Sequence, residues 1–160
     1  MAKSLYNYLN SKIKKEHTTL DLGCGDKVLS SYLKGKITTL DVWKPFNPTV
    51  LWDLNKLPLP FKDNSFDNIL LIDVIEHLPK ENGKLLLQEI KRIVKKSIFI
   101  LTPLFWTDNH INIHNKKSPY YQNMYNEHKS LWTREDFIDW IEIKEVKFKL
   151  DMYLGEWKQK

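Results

Sequence analysis

At 160 residues, with 42% hydrophobic, 12% aromatic and 28% charged side chains, the chain suits one globular domain over 1–160 and excludes disorder, collagen and low-complexity repeats. Twenty-five Lys and Arg against twenty Asp and Glu leave a formal charge of +5, and this Lys-dominated excess is spread thinly, which speaks against a nucleic-acid partner. No apolar run approaches the ~20 residues of a membrane span, the first residues lack the apolar core of a signal peptide, and Cys24 alone excludes an internal disulfide or a multi-cysteine metal site; a cytoplasmic address with no membrane partner is expected.

Leu5, Leu9 and Ile13 recur at helical spacing and predict an amphipathic N-terminal helix. His17–Leu22 reads as a buried strand ending in Gly23, followed by a short helix over Val28–Lys34 and a second strand over Lys36–Val42. Trp43–Pro48 carries two prolines, so the helix before the third strand, Thr49–Trp52, is shortened or absent. After a Pro-rich stretch, Phe66–Ile72 is a strongly apolar fourth strand. From Lys80 to Lys96, Leu86, Leu87, Ile90, Ile93 and Val94 line one helical face, and Ser97–Thr102 follows as a fifth strand. Residues 104–130 are polar, aromatic and rich in Asn and His, a loop long enough to be functional. Thr133–Trp140 predicts a helix capped by Thr133, Glu142–Leu150 alternates like an edge strand, and Asp151–Lys160 offers one more strand. Strand, crossover and strand in succession call for an α/β fold: a doubly wound, Rossmann-like, mostly parallel sheet with an antiparallel edge near the C-terminus.

The chemistry concentrates where these strands end. Leu20-Asp21-Leu22-Gly23-Cys24-Gly25-Asp26 closes the first strand with two glycines at alternate positions, which lets the backbone turn tightly against a ligand. Dinucleotide turns seat a pyrophosphate here, and Asp21 would repel one; the acid suits a cationic group such as an amino-acid ammonium, or else only caps the turn. Asp41, twenty residues on and followed by Val42, has the offset of an acid that accepts from ribose hydroxyls, or is a solvated strand end. Asp53-Leu54 ends the third strand, where a carboxylate can accept from an adenine amine, and the fourth strand delivers Asp73 through Leu78. All four segments converge on the crevice outside the carboxyl ends of a parallel sheet.

These residues resemble the class I S-adenosylmethionine-dependent methyltransferases, in particular their small type-11 group. The likeness runs from about Thr18 to Pro103, with a weaker echo over Glu127–Phe137. It implies that Leu20–Gly25, with Gly23, Cys24 and Gly25, packs against the methionine part of S-adenosylmethionine, that Asp41 holds the ribose, and that Asp53 and Leu54 meet the adenine. Leu57–Asp67 is similar to the family's segment before strand four, and Asp73–His77 to its motif beside the methyl group. Lys27 stands where the family has a third glycine.

A sulfonium methyl is already activated, so alignment of a nucleophile and exclusion of water are the main demands. His77, one turn past strand four, is the candidate general base, or else a histidine that shapes the pocket. The resemblance places His128 over the active-site mouth, in contact with the acceptor. His110 and His114 have i, i+4 spacing, but Ile111-Asn112-Ile113 gives little helical support and no third ligand has fixed spacing, so no metal is expected. Phe105, Trp106, Tyr120, Tyr121, Tyr125 and Trp132 offer a lid or ring-stacking surface. Base methyltransferases acting on nucleic acids show an Asn/Asp-Pro-Pro-aromatic run or a cysteine after strand four, where this chain has Asp73-Val74-Ile75-Glu76. The expected function is methyl transfer to a small-molecule or glycan acceptor beneath a lid at 104–130; the alternative is a catalytically silent S-adenosylmethionine-binding module acting through a protein partner.

Overall fold

A computed structural model describes residues 3–159. Met1, Ala2 and Lys160, which the sequence reading includes in the domain and in the last strand, lie outside the described residues. Seven strands form one sheet: β1 (Thr18–Leu22), β2 (Lys36–Asp41), β3 (Val50–Leu51), β4 (Phe66–Ile72), β5 (Val94–Pro103), β6 (Ile141–Glu142) and β7 (Met152–Lys158), in the spatial order β3-β2-β1-β4-β5-β7-β6. The first five run parallel, and β7 joins β5 and β6 antiparallel. The expected α/β sheet with an antiparallel C-terminal edge is therefore present.

Strand alternation explains why both faces are covered. Ile69 and Leu71 of β4 and Ile98 and Ile100 of β5 enter one core cluster, with Leu86, Leu87, Ile90 and Ile93 of the helix α3 (Lys80–Ile93). Leu70, Ile72, Phe99 and Leu101 point the other way, onto Leu5, Leu9 and Ile13 of the N-terminal helix α1 (Lys3–Lys12) and its end. Residues buried on both faces read as continuous apolar runs, as central parallel strands do.

Apart from ends displaced by one or two residues, three elements differ from the sequence reading. The helix expected to Lys96 ends at Ile93, and β5 begins at Val94 with no loop between them. Val94 pairs with Phe66 across the sheet, so strand pairing takes residues that helical periodicity had claimed. The expected edge strand Glu142–Leu150 is confined to Ile141–Glu142; Val146 is buried in the cluster around α1, and Ile143 and Phe148 pack against it. Their alternation serves packing, not pairing. The helix expected over Thr133–Trp140 is a 3-10 turn, Arg134–Phe137, whose N-cap Thr133 forms a capping box with Asp136. The long segment after β5 carries a short helix, α4 (His110–His114), and a 3-10 turn at Met124–Asn126.

The far end of that segment is nailed to the domain. Trp132 is fully buried and stacks on Phe137, which stacks on Tyr153. Lys80 Nζ lies over the Trp132 ring, 3.9 Å from its centroid, and donates to Leu131 O. Gly83 of α3 makes room: a Cβ there would stand 2.5 Å from Trp132 Cζ2 and 3.1 Å from Ile75 Cγ1. Gly83→Ala is expected to destabilise the fold by about 1–3 kcal/mol through overpacking, despite alanine's better helix propensity, as denaturant titration would measure. A stabilised variant would refute this close fit.

Candidate functional site

The strand order reverses at β1, which sends one crossover to β2 and lies beside β4 on its other side. A cleft of about 340 Å³ opens there at the carboxyl ends of the strands, within the size range of small-molecule sites. Its walls include Asp21, Gly23, Cys24, Gly25, Asp41, Val42, Leu54, Asp73 and His77. Nine of the residues singled out from sequence are thus brought together.

The loop after β1 (helix α2, Val28–Tyr32, follows it) is held by the neighbouring strand. Gly23 and Cys24 both donate to Leu40 O, at 2.8 and 3.1 Å. Gly23 has φ +65°, and a Cβ on it would meet Val74 Cγ2 at 2.6 Å; only glycine meets both the angle and the space. Gly25, also at positive φ, donates to Asp41 Oδ2 at 3.0 Å, which ties the loop to the end of β2. Lys27 has φ 63° and is the N-cap of α2. The position thus retains the left-handed backbone that suits a glycine, at a cost on the order of 1–2 kcal/mol for a side-chain-bearing residue. Its Nζ donates to Asn47 O at 3.0 Å.

Carboxylates dominate the wall. Asp21 is buried and accepts from Ser30 Oγ; desolvation raises its pKa to about 7 against the lowering effect of that bond. Asp41 accepts from Trp43 N at 2.8 Å as well as from Gly25 N, and burial still raises its pKa. Asp73, in the left-handed region at φ 53°, donates its N–H to Leu101 O at 2.9 Å; its side chain is exposed at the cleft, whose desolvating walls raise its pKa to about 6. Among the described residues, none of the three is in an ion pair. Cys24 is buried, and desolvation first, then Asp21 and Asp41, push its thiol up to about 12, so it is no thiolate nucleophile at neutral pH.

Asp53 stands apart from the cleft lining. Its Oδ1 accepts from Asn55 N and Asn55 Nδ2, at 2.9 and 3.0 Å, and Asn55 is the residue on the wall. The sequence reading stopped at Leu54 and missed Asn55, although an Asp-x-Asn turn carries that signal.

His77 follows β4 on a 3-10 turn, Ile75–His77. Its Nδ1 lies 3.2 Å from Glu127 O; a carbonyl only accepts, so Nδ1 carries the proton and Nε2 the lone pair. Burial, then the neighbouring His128, lower its pKa to about 4. His77 is therefore neutral at pH 7 and a weak base. His128 does not line the cleft: its ring packs edge-on to His77 with centroids 4.8 Å apart, and its Nδ1 lies 2.9 Å from Thr107 Oγ1. Glu76, next in sequence to His77, is buried and accepts from Thr102 Oγ1 at 3.1 Å.

Residues 104–130 cover one side of the cleft through Tyr120, Asn123, Tyr125, Asn126 and Lys129. Tyr120 packs edge-on to Phe46, and its hydroxyl lies where a Cβ on Gly25 would come within 3.0 Å. Lys129 and Ser130 donate backbone bonds to Glu76 O, at 2.8 and 3.0 Å. Of the aromatic residues grouped as a lid, Trp132 is core and Trp106 is largely exposed. His110 and His114, given little helical support by their sequence, do lie on α4, with ring centroids 4.2 Å apart.

No helix among the described residues is long and apolar enough to cross a membrane. A relative in Methanocaldococcus jannaschii, an uncharacterized protein, is 37% identical over 90 residues; the match spans 51% of this chain and 38% of that protein. Among solved structures, the PH0226 protein of Pyrococcus horikoshii OT3 superposes with a TM-score of 0.66 at 19% identity, over 99% of this chain and 89% of the other. The magnesium protoporphyrin IX methyltransferase of Synechocystis PCC 6803, solved with bound SAM, gives 0.63 at 13% identity over 98% and 77%. These two likenesses establish a shared fold. The family profile described as a methyltransferase domain matches residues 20–101, from the middle of β1 through most of β5. With half of its length so matched, the chain belongs to the class I S-adenosylmethionine-dependent methyltransferases.

Proposed function

We propose that the chain, acting as one domain over 1–160, transfers the methyl group of S-adenosylmethionine to a small-molecule or glycan acceptor held beneath residues 104–130. The observation that carries this reading is the trio Asp21, Asp41 and Asp73 around one cleft, the first two buried and all three outside any ion pair among the described residues. Buried carboxylates of this kind are costly until a cation or hydroxyl donors join them. A ligand with an ammonium, a sulfonium and a ribose diol supplies both.

When bound, that cofactor supplies a methyl group already activated by its positive sulfur. Asp21, behind the glycine loop, attracts the ammonium, while the backbone of Gly23, Cys24 and Gly25 gives the methionine part a close surface. Asp41, whose carboxylate is oriented by two backbone N–H groups, has lone pairs left for the ribose hydroxyls. Val42, Leu54 and Asn55 border the adenine end, and Asp53 is a positioning residue for Asn55. Asp73 and His77 border the end where the acceptor enters, His128 backs the His77 ring, and the Tyr120 and Tyr125 rings exclude water from that side. With a proton affinity as low as that of His77, orientation contributes more than proton abstraction.

Titration calorimetry with S-adenosylmethionine is expected to give one site of micromolar-range affinity, about −8 kcal/mol. Asp41→Ala removes charge-assisted bonds worth about 1.5–3 kcal/mol each and should weaken binding at least tenfold with the melting temperature little changed. Unaltered affinity in that variant would overturn the assignment of the ribose end.

Asp21 makes binding pH-dependent. Its pKa of about 7 in the free protein falls when a cation arrives, so binding releases a proton and affinity rises from pH 6 to pH 8. Without ligand the sign reverses for stability: native Asp21 holds its proton over the window, from about 4 to about 7, in which the unfolded chain has lost it, so stability falls as pH rises. Calorimetry and thermal melts across this range check both slopes, and Asp21→Asn should reduce them, leaving the share of Asp41, Asp73 and Glu76.

Tyr120→Ala opens the wall over Gly25 and should speed release of S-adenosylmethionine about tenfold, with association little affected. Stopped-flow displacement measures it; an unchanged release rate would mean that the ring covers nothing.

A further inference from the structure

Glu76, His77 and His128 each present a ligating atom, and the three atoms lie within 4.8 Å of one another. We propose that these three side chains bind one divalent transition-metal ion at the acceptor end of the cleft, and that the ion's open positions take an oxygen of the methyl acceptor. Two imidazoles and a carboxylate form a three-ligand set suited to zinc or a similar ion, with at least one position left for water or substrate. Ligand atoms on one tetrahedral ion lie about 3.4 Å apart at zinc–ligand distances of about 2.1 Å. The three atoms, within 4.8 Å of one another, need to approach by at most about 1.4 Å to close on an ion.

The surroundings are those of a prepared site. A ligating histidine usually donates its second ring N–H to an oriented acceptor, which fixes the tautomer. His77 Nδ1 does this to Glu127 O at 3.2 Å, and His128 Nδ1 is paired with Thr107 Oγ1 at 2.9 Å. The carbonyl partner leaves the His77 Nε2 lone pair for an ion, and the Thr107 hydroxyl, able to accept as well as donate, is compatible with the same tautomer at His128. Thr102 Oγ1 holds Glu76 Oε2 at 3.1 Å, and the Glu76 carbonyl takes two backbone N–H groups from Lys129 and Ser130. Those bonds lock the strand-four end of the site to the segment carrying His128. Among the described residues, this is the one group of three or more such side chains that meets so closely. The exposed pair His110 and His114 has Glu127 nearby, 3.8 Å from His110 Nδ1, yet does not form such a group.

The consequence is a class of acceptor. An ion with open positions binds a hydroxyl and lowers its pKa, so the proton leaves to solvent and the oxygen remains as nucleophile. The O–CH₃ bond then forms as the C–S bond breaks, its electron pair passing to sulfur. Acceptors with a hydroxyl beside a second oxygen donor, able to chelate, fit such an ion. This last step rests on the methyl-transfer reading; the metal site does not.

The test titrates the purified, chelator-treated chain with Zn²⁺, and separately Mn²⁺, by calorimetry without S-adenosylmethionine. One ion per chain is expected, with affinity reduced at least tenfold in His77→Ala, in His128→Ala and in Glu76→Gln. It should stay unchanged in the double variant His110→Ala/His114→Ala. Because a variant can misfold, Mn²⁺ is also added in substoichiometric amounts to the unaltered chain. Broadening of the His77 and His128 ring resonances ahead of those of His110 and His114 supports the site in the native fold. No saturable binding, binding lost only in the α4 double variant, or broadening confined to α4 would overturn it. S-adenosylmethionine binding is measured with and without chelator: failure of that binding while Zn²⁺ binds sinks the methyl-transfer reading alone, and the converse sinks the metal site alone.

Discussion

The contact between Gly23 and Val74 joins the two halves of the site. Gly23 ends β1 and Val74 follows β4, and the glycine's missing Cβ is what lets the strands' ends meet, since even one methyl would stand 2.6 Å from Val74 Cγ2. With Gly23 and Cys24 also donating to Leu40 O, the loop is fixed against β2 and β4 at once. Asp21, Asp41 and Asp73 then reach the same cleft from three different strand ends. The switch point of the sheet, where neighbouring crossovers diverge, is the place where a crevice can exist without breaking the core.

That arrangement has a thermodynamic cost that falls on the unliganded state. Desolvation raises the pKa of Asp21 to about 7 and of Glu76 to about 8, which means each charged form is poorly accommodated. An apolar cleft would be more stable and would bind nothing cationic. Strain adds to this at Lys27 and Asp73, both in the left-handed region at positions that turn the chain around the ligand space. The fold carries these costs because the two apolar clusters on either face of the sheet are nearly continuous along β4 and β5.

Much of this was legible in the chain itself, for physical reasons that also mark where legibility ends. β4 and the parallel order were readable because residues buried on both faces leave long apolar runs, and Gly23, Gly25 and Asp41 because their spacing maps directly onto a strand–turn–helix unit. The junction of α3 and β5 was not, since Ile93 and Val94 satisfy either period and only the pairing of Val94 with Phe66 decides between them. The alternation over 142–150 was real but served packing against α1. Asn55 escaped because its place depends on the Asp53 turn; Tyr120 was among the aromatic residues named for this role, but nothing local says which tyrosine of a long insert folds back onto Gly25. Glu76 escaped for a related reason: its significance comes from His128, more than fifty residues away, brought close by backbone bonds that no local pattern encodes.

The same insert shows how rigidity and access are divided. Its exit is held by the Trp132–Phe137–Tyr153 stack and by Lys80, and its start by the bond from Leu104 N to Asp151 O at 3.0 Å. Between these anchors Met124, Tyr125 and Ile111 are exposed, while Ile113 and Asn123 are buried and Tyr120 packs on Phe46, so the middle is held at a few points rather than along its length. The anchored exit keeps His128 against His77. The backbone bonds from Lys129 and Ser130 to Glu76 O belong to the anchored exit and do not involve the exposed middle of the insert. The register of His77 and His128 with the strand-four end of the cleft therefore depends on the anchored exit and not on the exposed residues of the insert's middle.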